Sequence, residues 1–189
     1  MKKCIFVFII LCLLLSGCGS NENATQWPSD MIAVAPFLAV EPIEGYAFGE
    51  SADTLGLGGV YYATWTSGDV RDFVNSKGES AVIFDSQIYI IVQEARTEED
   101  AKTTQAQWIA REQQNYECGD VFTLTVNGRE YSLLPLISGD EANPYNFGCA
   151  AFTTYGTNTI CAELVCSDTF SADPQAVMEQ FLNSLHYSE

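Results

Sequence analysis

Few side chains in this sequence of 189 residues have the types and spacing that catalysis needs. His186, close to the C-terminus, is the single histidine, which removes most His-dependent catalysis and most zinc enzymes. The nucleophile motifs G-x-S-x-G and S-x-x-K are both missing from the sequence. Gly56–Gly59 is glycine-rich but lacks the spacing of a phosphate-binding loop. The sequence therefore predicts a protein that is not an enzyme, with no catalytic residue, no metal and no other cofactor.

Carboxylates are the abundant reactive groups, with 25 Asp and Glu against 8 Lys and Arg and a formal net charge of −17. Catalytic carboxylate pairs meet in space from distant elements, so spacing alone does not single one out. A hydrolase of envelope polymers that uses an Asp/Glu pair therefore stays the alternative to a non-catalytic function. The acidic balance argues against nucleic acid as a partner, because a nucleic-acid surface requires clustered Lys and Arg.

The N-terminus has the features of an export signal. Lys2 and Lys3 precede a run of twelve apolar residues, 4–15. As a helix this run would rise about 18 Å, which is short of the ~30 Å hydrocarbon core, so it predicts a signal peptide. The run ends in Leu15-Ser16-Gly17-Cys18, which resembles the lipobox of bacterial lipoproteins. The resemblance implies cleavage before Cys18 and a diacylglycerol thioether on its sulfur; an ordinary secretory signal is the alternative.

Processing at this position would divide the chain into three parts. Residues 1–17 form the signal peptide, residues 18–30 hold the lipidated cysteine and a flexible tether, and residues 31–189 form a single domain. Removal of 1–17 takes away two lysines and no acid, which leaves 172 residues with 6 basic and 25 acidic side chains, net −19. We expect location at the cell membrane, on its extracytoplasmic face, with the lipid on Cys18 as the membrane contact.

Four cysteines remain after processing, and outside the cytoplasm an even number favours two disulfides. Residues 147–155 and 159–168 read as a hairpin. A turn at Thr157-Asn158 would place Cys149 opposite Cys166 and direct Cys161, on the other face, towards Cys118. A one-residue change of turn would exchange the faces and undo this pairing. We therefore predict disulfides Cys149–Cys166 and Cys118–Cys161.

Aromatic residues make up 12% of the sequence and offer a candidate ligand platform. Trp65, Tyr61 and Tyr62 lie on a predicted strand and could bind a sugar or peptide, since each has a flat apolar body with a polar tip. Alternation along the strand puts Tyr61 and Trp65 on one face and Tyr62 on the other. One of these faces must be buried, so packing of Trp65 into the core is the alternative.

The elements that would position these residues follow from local pattern. Asn127-Gly128 between two alternating runs predicts a hairpin that pairs Phe122 with Leu133. Thr97 followed by acids predicts a helix to about Tyr116 with Ala101, Thr104 and Trp108 on its buried stripe. The other predicted elements are a strand over 60–66, a short helix over 69–75, one bent or two short strands over 81–94, and a last helix after Asp173-Pro174.

This order indicates an α+β fold in which a mainly antiparallel sheet, built from hairpins, is covered on one face by two amphipathic helices. The order also resembles the Mog1/PsbP-like α/β sandwich of small bacterial lipoproteins, over about residues 58–187 and most clearly in the terminal helix 176–185. The resemblance implies a fold and no activity, because no catalytic motif accompanies it. We expect a non-catalytic binding or accessory domain whose partner is an unknown envelope protein or a small ligand.

Overall fold

The structure is a computed structural model that describes residues 27–53, 59–74, 78, 80–139 and 143–188. The predicted signal peptide, Cys18 and the tether up to residue 26 lie outside the described residues. In chain order the described elements are β1 (Ile32–Ala35), β2 (Leu38–Val40), β3 (Tyr46–Asp53), β4 (Val60–Ser67), β5 (Arg71–Val74), β6 (Ser80–Ile83), β7 (Ser86–Glu94), α1 (Glu98–Asn115), β8 (Glu117–Cys118), β9 (Phe122–Val126), β10 (Arg129–Ser138), β11 (Phe147–Tyr155), β12 (Asn158–Cys166), α2 (Pro174–Asn183) and β13 (Leu185–Tyr187).

An eight-stranded sheet forms the centre of the fold. Its strands follow the order β3-β4-β7-β12-β11-β10-β8, with β9 also paired to β10, and every pairing is antiparallel. A three-stranded sheet has the order β1-β2-β13, and β5 pairs with β6. The fold is therefore α+β with a mostly antiparallel sheet and two helices, as the sequence predicts. None of the helices in the described part of the chain is both long and apolar enough to cross a membrane.

The two helices lie on opposite faces of the sheet, so the predicted covering of one face by both is wrong. Phe181 of α2 packs in the main core with Cys149 and Ala151 of β11. Trp108 of α1 packs against a second cluster that contains Ala150 and Phe152 of the same strand. Successive strand residues point to opposite faces, which assigns one helix to each. Helix amphipathicity predicts a buried stripe, but it carries no information about which sheet face that stripe covers.

Local start and turn signals predict several elements correctly. Thr97 caps α1, where its hydroxyl accepts a hydrogen bond from the Asp100 amide at 3.1 Å. Asp173 caps α2 and Pro174 occupies its first turn. The β9–β10 hairpin has the predicted register, with Phe122 opposite Leu133. Asn127 and Gly128 between these strands have φ of 50° and 75°, as a type I′ turn requires.

The predicted helix over 69–75 is wrong. Arg71–Val74 is strand β5, which pairs with β6 so that Phe73 lies opposite Ala81. Within it, the half-buried Arg71 and Phe73 alternate with the exposed Asp72 and Val74. This alternation has the period of a strand, and pairing with a neighbouring segment decides the conformation over local capping signals.

The β11–β12 hairpin corrects the predicted cysteine pairing. Its turn is Gly156-Thr157, so Cys149 lies opposite Leu164 and Cys166 lies opposite Phe147. The shift amounts to two residues, which preserves the face of every side chain. Cys149 and Cys166 share the main core, and Cys161 lies in the second cluster, against which Cys118 packs. All four are free thiols, so neither predicted disulfide is present.

Candidate functional site

The predicted aromatic platform does not form. Trp65 is 1% exposed and packs edge-on against Phe181, with ring centroids 5.3 Å apart. Tyr61 packs against the same core. Tyr62 stacks on Tyr89 at 6.1 Å, on the opposite face of β4. The three rings are therefore divided between the two sides of the sheet, and the core alternative for Trp65 is confirmed.

A cavity of about 1060 Å³ lies on the α2 side of the sheet, between the β9–β10 turn and β13. We call it the Arg129 pocket, and its lining includes Asn127, Arg129, Tyr131, Leu182, His186 and Tyr187. Asn127 lies in the hairpin turn and Arg129 is the first residue of β10, while the C-terminal strand β13 brings His186 and Tyr187 to the same place. The Asn-Gly turn thus positions a cation beside residues that are distant in sequence.

Arg129 is held by aromatic rings and by one carbonyl. Its guanidinium carbon lies 3.9 Å from the ring centroid of Tyr187 and 4.9 Å from that of Tyr155. Its Nη1 donates to the carbonyl oxygen of Thr154 at 3.5 Å. The ion pairs that link described residues are Arg71–Asp168, Arg111–Glu112 and His186–Glu41, none of which includes Arg129. The pocket thus contains a cation that no described carboxylate neutralises.

Two tyrosine hydroxyls face each other beside this cation. The hydroxyl oxygens of Tyr131 and Tyr187 are 3.1 Å apart. Burial raises the pKa of both phenols above the ordinary value, and it does so against the lowering effect of the Arg129 charge. Both hydroxyls are therefore protonated and neutral at physiological pH.

His186 lines the same pocket but is already partnered. It lies in β13, the strand that follows α2. Its Nε2 is 2.8 Å from Oε1 of Glu41. Any positive charge on the imidazole is thus balanced by Glu41, and Arg129 is the cation that remains for a ligand.

A second, smaller concavity of about 420 Å³ lies on the α1 side. We call it the Glu163 cleft; Arg111, Glu112, Tyr116 and Asn143 line it together with Glu163. Glu112 is 3% exposed, and its Oε1 accepts hydrogen bonds from Nε and Nη2 of Arg111 at 2.9 and 2.7 Å. Glu163 lies on β12, on the face that α1 covers. The fold thus brings two carboxylates from different elements to one cleft.

The two carboxylates have different electrostatic surroundings. Burial, and then the charge of Glu112, raise the pKa of Glu163 to about 7, while Arg111 opposes the shift. A carboxyl group with this pKa exchanges its proton near neutral pH, which is what general acid–base chemistry needs. Burial also raises the pKa of Tyr116 to about 12, so its hydroxyl stays neutral.

Sequence reasoning missed the Glu112–Glu163 pair, although one signal for it was present. Glu112 lies four residues after Trp108, on the stripe that also carries Ala101. A carboxylate at a buried helical position requires a partner, so this position pointed to a polar site under α1. Glu163 offered no comparable signal, because its surroundings arise from strand pairing.

The four cysteines in the described part of the chain do not form a reactive site. Burial raises the pKa of Cys166 to about 12 and shifts the pKa of Cys149 and Cys161 upwards as well. The Cys149 thiol donates to the carbonyl oxygen of Pro174 at 3.3 Å. A protonated, buried thiol is a poor nucleophile.

The fold and its two concave sites define an α+β domain with polar pockets on both sides of a mostly antiparallel sheet. No protein-family model matches the chain, and no curated protein matches it. One similar solved structure is a Bacteroides thetaiotaomicron protein, at 9% identity and a TM-score of 0.49. The match covers 83% of this chain and 48% of that one, so this chain spans about half its length. It assigns neither a family nor a function.

Proposed function

We propose that this chain is a lipid-anchored, extracytoplasmic domain that binds a small ligand in the Arg129 pocket without catalysing a reaction. The observation that carries the proposal is a large cavity whose cation, Arg129, lies over the rings of two tyrosines and has no described carboxylate partner. A positioned charged group in a mostly preformed cavity is typical of ligand sites.

The PsbP-like fold is part of the same proposal. A helix on each face of a central antiparallel sheet supports a sandwich of this kind. Helix α2 also ends in Leu182-Asn183, followed by Ser184, within the segment 176–185 on which the resemblance rests. Such a fold supports a binding role as readily as any other, so the pocket carries the functional argument.

Anchoring through Cys18 has a direct test. Cys18→Ala should release the protein from the membrane fraction, because no other thiol would accept the lipid at the signal cleavage position. The measurement is the distribution of the protein between membrane and soluble fractions of the expressing cell. A Cys18→Ala protein that stays with the membrane would rule out the lipid anchor.

Binding is tested by capture from envelope extracts. The full-length chain, purified in non-ionic detergent, is incubated with small molecules extracted from the envelope, and retained compounds are identified by mass spectrometry. Wild type and Arg96→Gln, which removes an exposed arginine that is not part of the pocket lining, should retain the same compound. Arg129→Gln should not. Retention of nothing by the wild type, or equal retention by Arg129→Gln, would reject the pocket as the binding site.

A second candidate function is favoured by the Glu163 cleft. A carboxyl group with a pKa of about 7 beside a second carboxylate fits a hydrolase acting on envelope polymers. Glu163→Gln and Glu112→Gln should then abolish release of new chain ends from purified polymer, while the exposed Glu179→Gln should not. Equal rates for all three variants, or no turnover by the wild type, would dismiss the hydrolase.

A further inference from the structure

We infer that the Arg129 pocket recognises a single carboxylate group carried on a small polar molecule, the class to which sugar acids and acylated amino acids belong. This inference rests on the proposed binding function and adds the chemical class of the ligand. It follows from the described contacts of the guanidinium, from the charges around it and from the polar groups beside it.

The described contacts of Arg129 leave most of its N–H donors without a protein partner. A guanidinium stacks through its flat face and donates hydrogen bonds in its plane, so the two interactions do not compete. Arg129 has five N–H donors, of which one is directed to Thr154 O. Two parallel in-plane N–H groups match the two oxygens of a carboxylate in a bidentate pair.

The rings also hold the guanidinium in place before a ligand arrives. Tyr187 lies 5.3 Å from Tyr155, which in turn stacks on Phe37 at 5.2 Å, so Arg129 sits at the end of a row of packed rings. An arginine side chain that is already ordered loses less conformational freedom on binding than a free one. The site is therefore preorganised around the cation.

The charges favour a monoanion over a multiply charged ligand. His186 faces Glu41, which leaves Arg129 as the uncompensated cation of the described lining. Glu130 also lines the pocket, but alternation along β10 turns its side chain to the other face of the sheet. With net −19 on the processed chain, each further negative charge on a ligand would be repelled without a partner. One cation therefore matches one carboxylate better than it matches a phosphate dianion.

The polar groups next to Arg129 favour a ligand that carries hydroxyl or amide groups beside its carboxylate. Asn127 donates its side-chain amide to the carbonyl of Asn183 at 3.2 Å, which leaves its own carbonyl oxygen as an acceptor. The hydroxyls of Tyr131 and Tyr187 lie in the same lining. A ligand with hydroxyl or amide groups can bond to the Asn127 oxygen and to the tyrosine hydroxyl that does not donate to the other, whereas a purely apolar acid would give these groups no partner.

The test compares acids with their neutral amides on the full-length chain in non-ionic detergent. The probes are glucuronate with glucuronamide, N-acetylglycine with N-acetylglycinamide, and inorganic phosphate, each titrated by NMR of the arginine side-chain N–H signals. At least one acid should bind about 10-fold or more tightly than its amide, in keeping with a charge-assisted pair. The acid that binds better identifies the source of the carboxylate.

Variants locate the interaction. Arg129→Gln should weaken the preferred acid about 10- to 100-fold, and Arg129→Lys, which keeps the charge and the long stem, should lose less. Arg96→Gln should bind as the wild type does. Circular dichroism shows whether each variant is folded. If Arg129→Gln does not fold, the affinity of Arg129→Lys is compared with that of the wild type instead.

Three outcomes would overturn the inference: amides that bind as well as their acids, phosphate that binds more tightly than either acid, or no binding of any probe. The capture experiment tests the binding function separately from the ligand class. A compound captured through Arg129 that lacks a carboxylate would refute the ligand class while supporting the binding function. Capture of nothing by the wild type would reject the binding function itself.

Discussion

Glu163 should make the stability of the fold depend on pH, in the direction opposite to that of most acidic residues. Its pKa is about 7 in the folded protein against an ordinary 4.5. Between these two values the folded chain keeps a proton that the unfolded chain has lost. The free energy of unfolding must therefore fall as the pH rises from about 4.5 to about 7, and it does not recover above that.

The magnitude follows from the difference between the two pKa values. The shift from 4.5 to about 7 corresponds, at 1.36 kcal/mol per pKa unit, to at most about 3 kcal/mol. Glutamine has nearly the same shape and never carries the charge that the cleft disfavours. Glu163→Gln should therefore be more stable than the wild type at pH 8 by up to about 3 kcal/mol, with much less difference at pH 5.

Urea unfolding followed by circular dichroism measures this at the two pH values. The matched control is Glu179→Gln, since Glu179 is an exposed carboxylate on α2. Its free energy difference from the wild type should stay the same at both pH values. If the effect of Glu163→Gln is equally independent of pH, then burial and the charge of Glu112 do not act on Glu163 as the structure indicates.

Three further predictions concern the core. Trp65→Ala should cost about 3–5 kcal/mol of unfolding free energy because it leaves a cavity, whereas Trp65→Phe should cost much less, since the indole N–H has no partner in the described structure. Equal, small effects of the two substitutions in urea unfolding would put Trp65 outside the core. Gly148→Ala should strongly reduce thermal stability, because the new Cβ would lie 1.9 Å from the carbonyl oxygen of Leu164 and residue 148 has a φ of 150°. An unchanged melting temperature would contradict this close contact between the strands. Non-reducing peptide mapping should find no disulfide between Cys161 and Cys149, which lie on opposite sheet faces, and such a bond would disprove the strand register.

The two hairpins show what a sequence can and cannot predict about register. Asn127-Gly128 is a turn with positive φ at both positions, so its chemistry alone sets every pair of the β9–β10 hairpin. The turn between β11 and β12 contains one glycine among residues that suit several turn types, and the predicted register is wrong by two residues. A register error of an even number of residues leaves each side chain on the same face of the sheet. The division of the cysteines between the two clusters therefore agrees with the prediction, whereas the residues opposite Cys149 and Cys166 differ from the predicted ones.

Long-range packing accounts for the other differences. The segment after Ser67 has capping signals for a helix, yet β5 pairs with β6 because that pairing satisfies its backbone and half-buries Phe73. The sheet face that each helix covers depends on the order of all the strands, and no local sequence pattern predicts that order. The same holds for the sites: Arg129 meets Tyr187, and Glu112 meets Glu163, only after distant strands have paired.

The position of the two sites on opposite faces makes their proposed roles separable. Arg129 lies on the face of β10 that packs towards α2, whereas Glu163 lies on the face of β12 that α1 covers. The sheet separates their side chains, and they share no partner among the described contacts. Substitutions at separated sites without a common partner add nearly independently. A double variant, Arg129→Gln with Glu163→Gln, should therefore keep the added stability of the second change at pH 8 and the weakened ligand binding of the first. Loss of the proposed role at one site would then leave the proposed role of the other site intact.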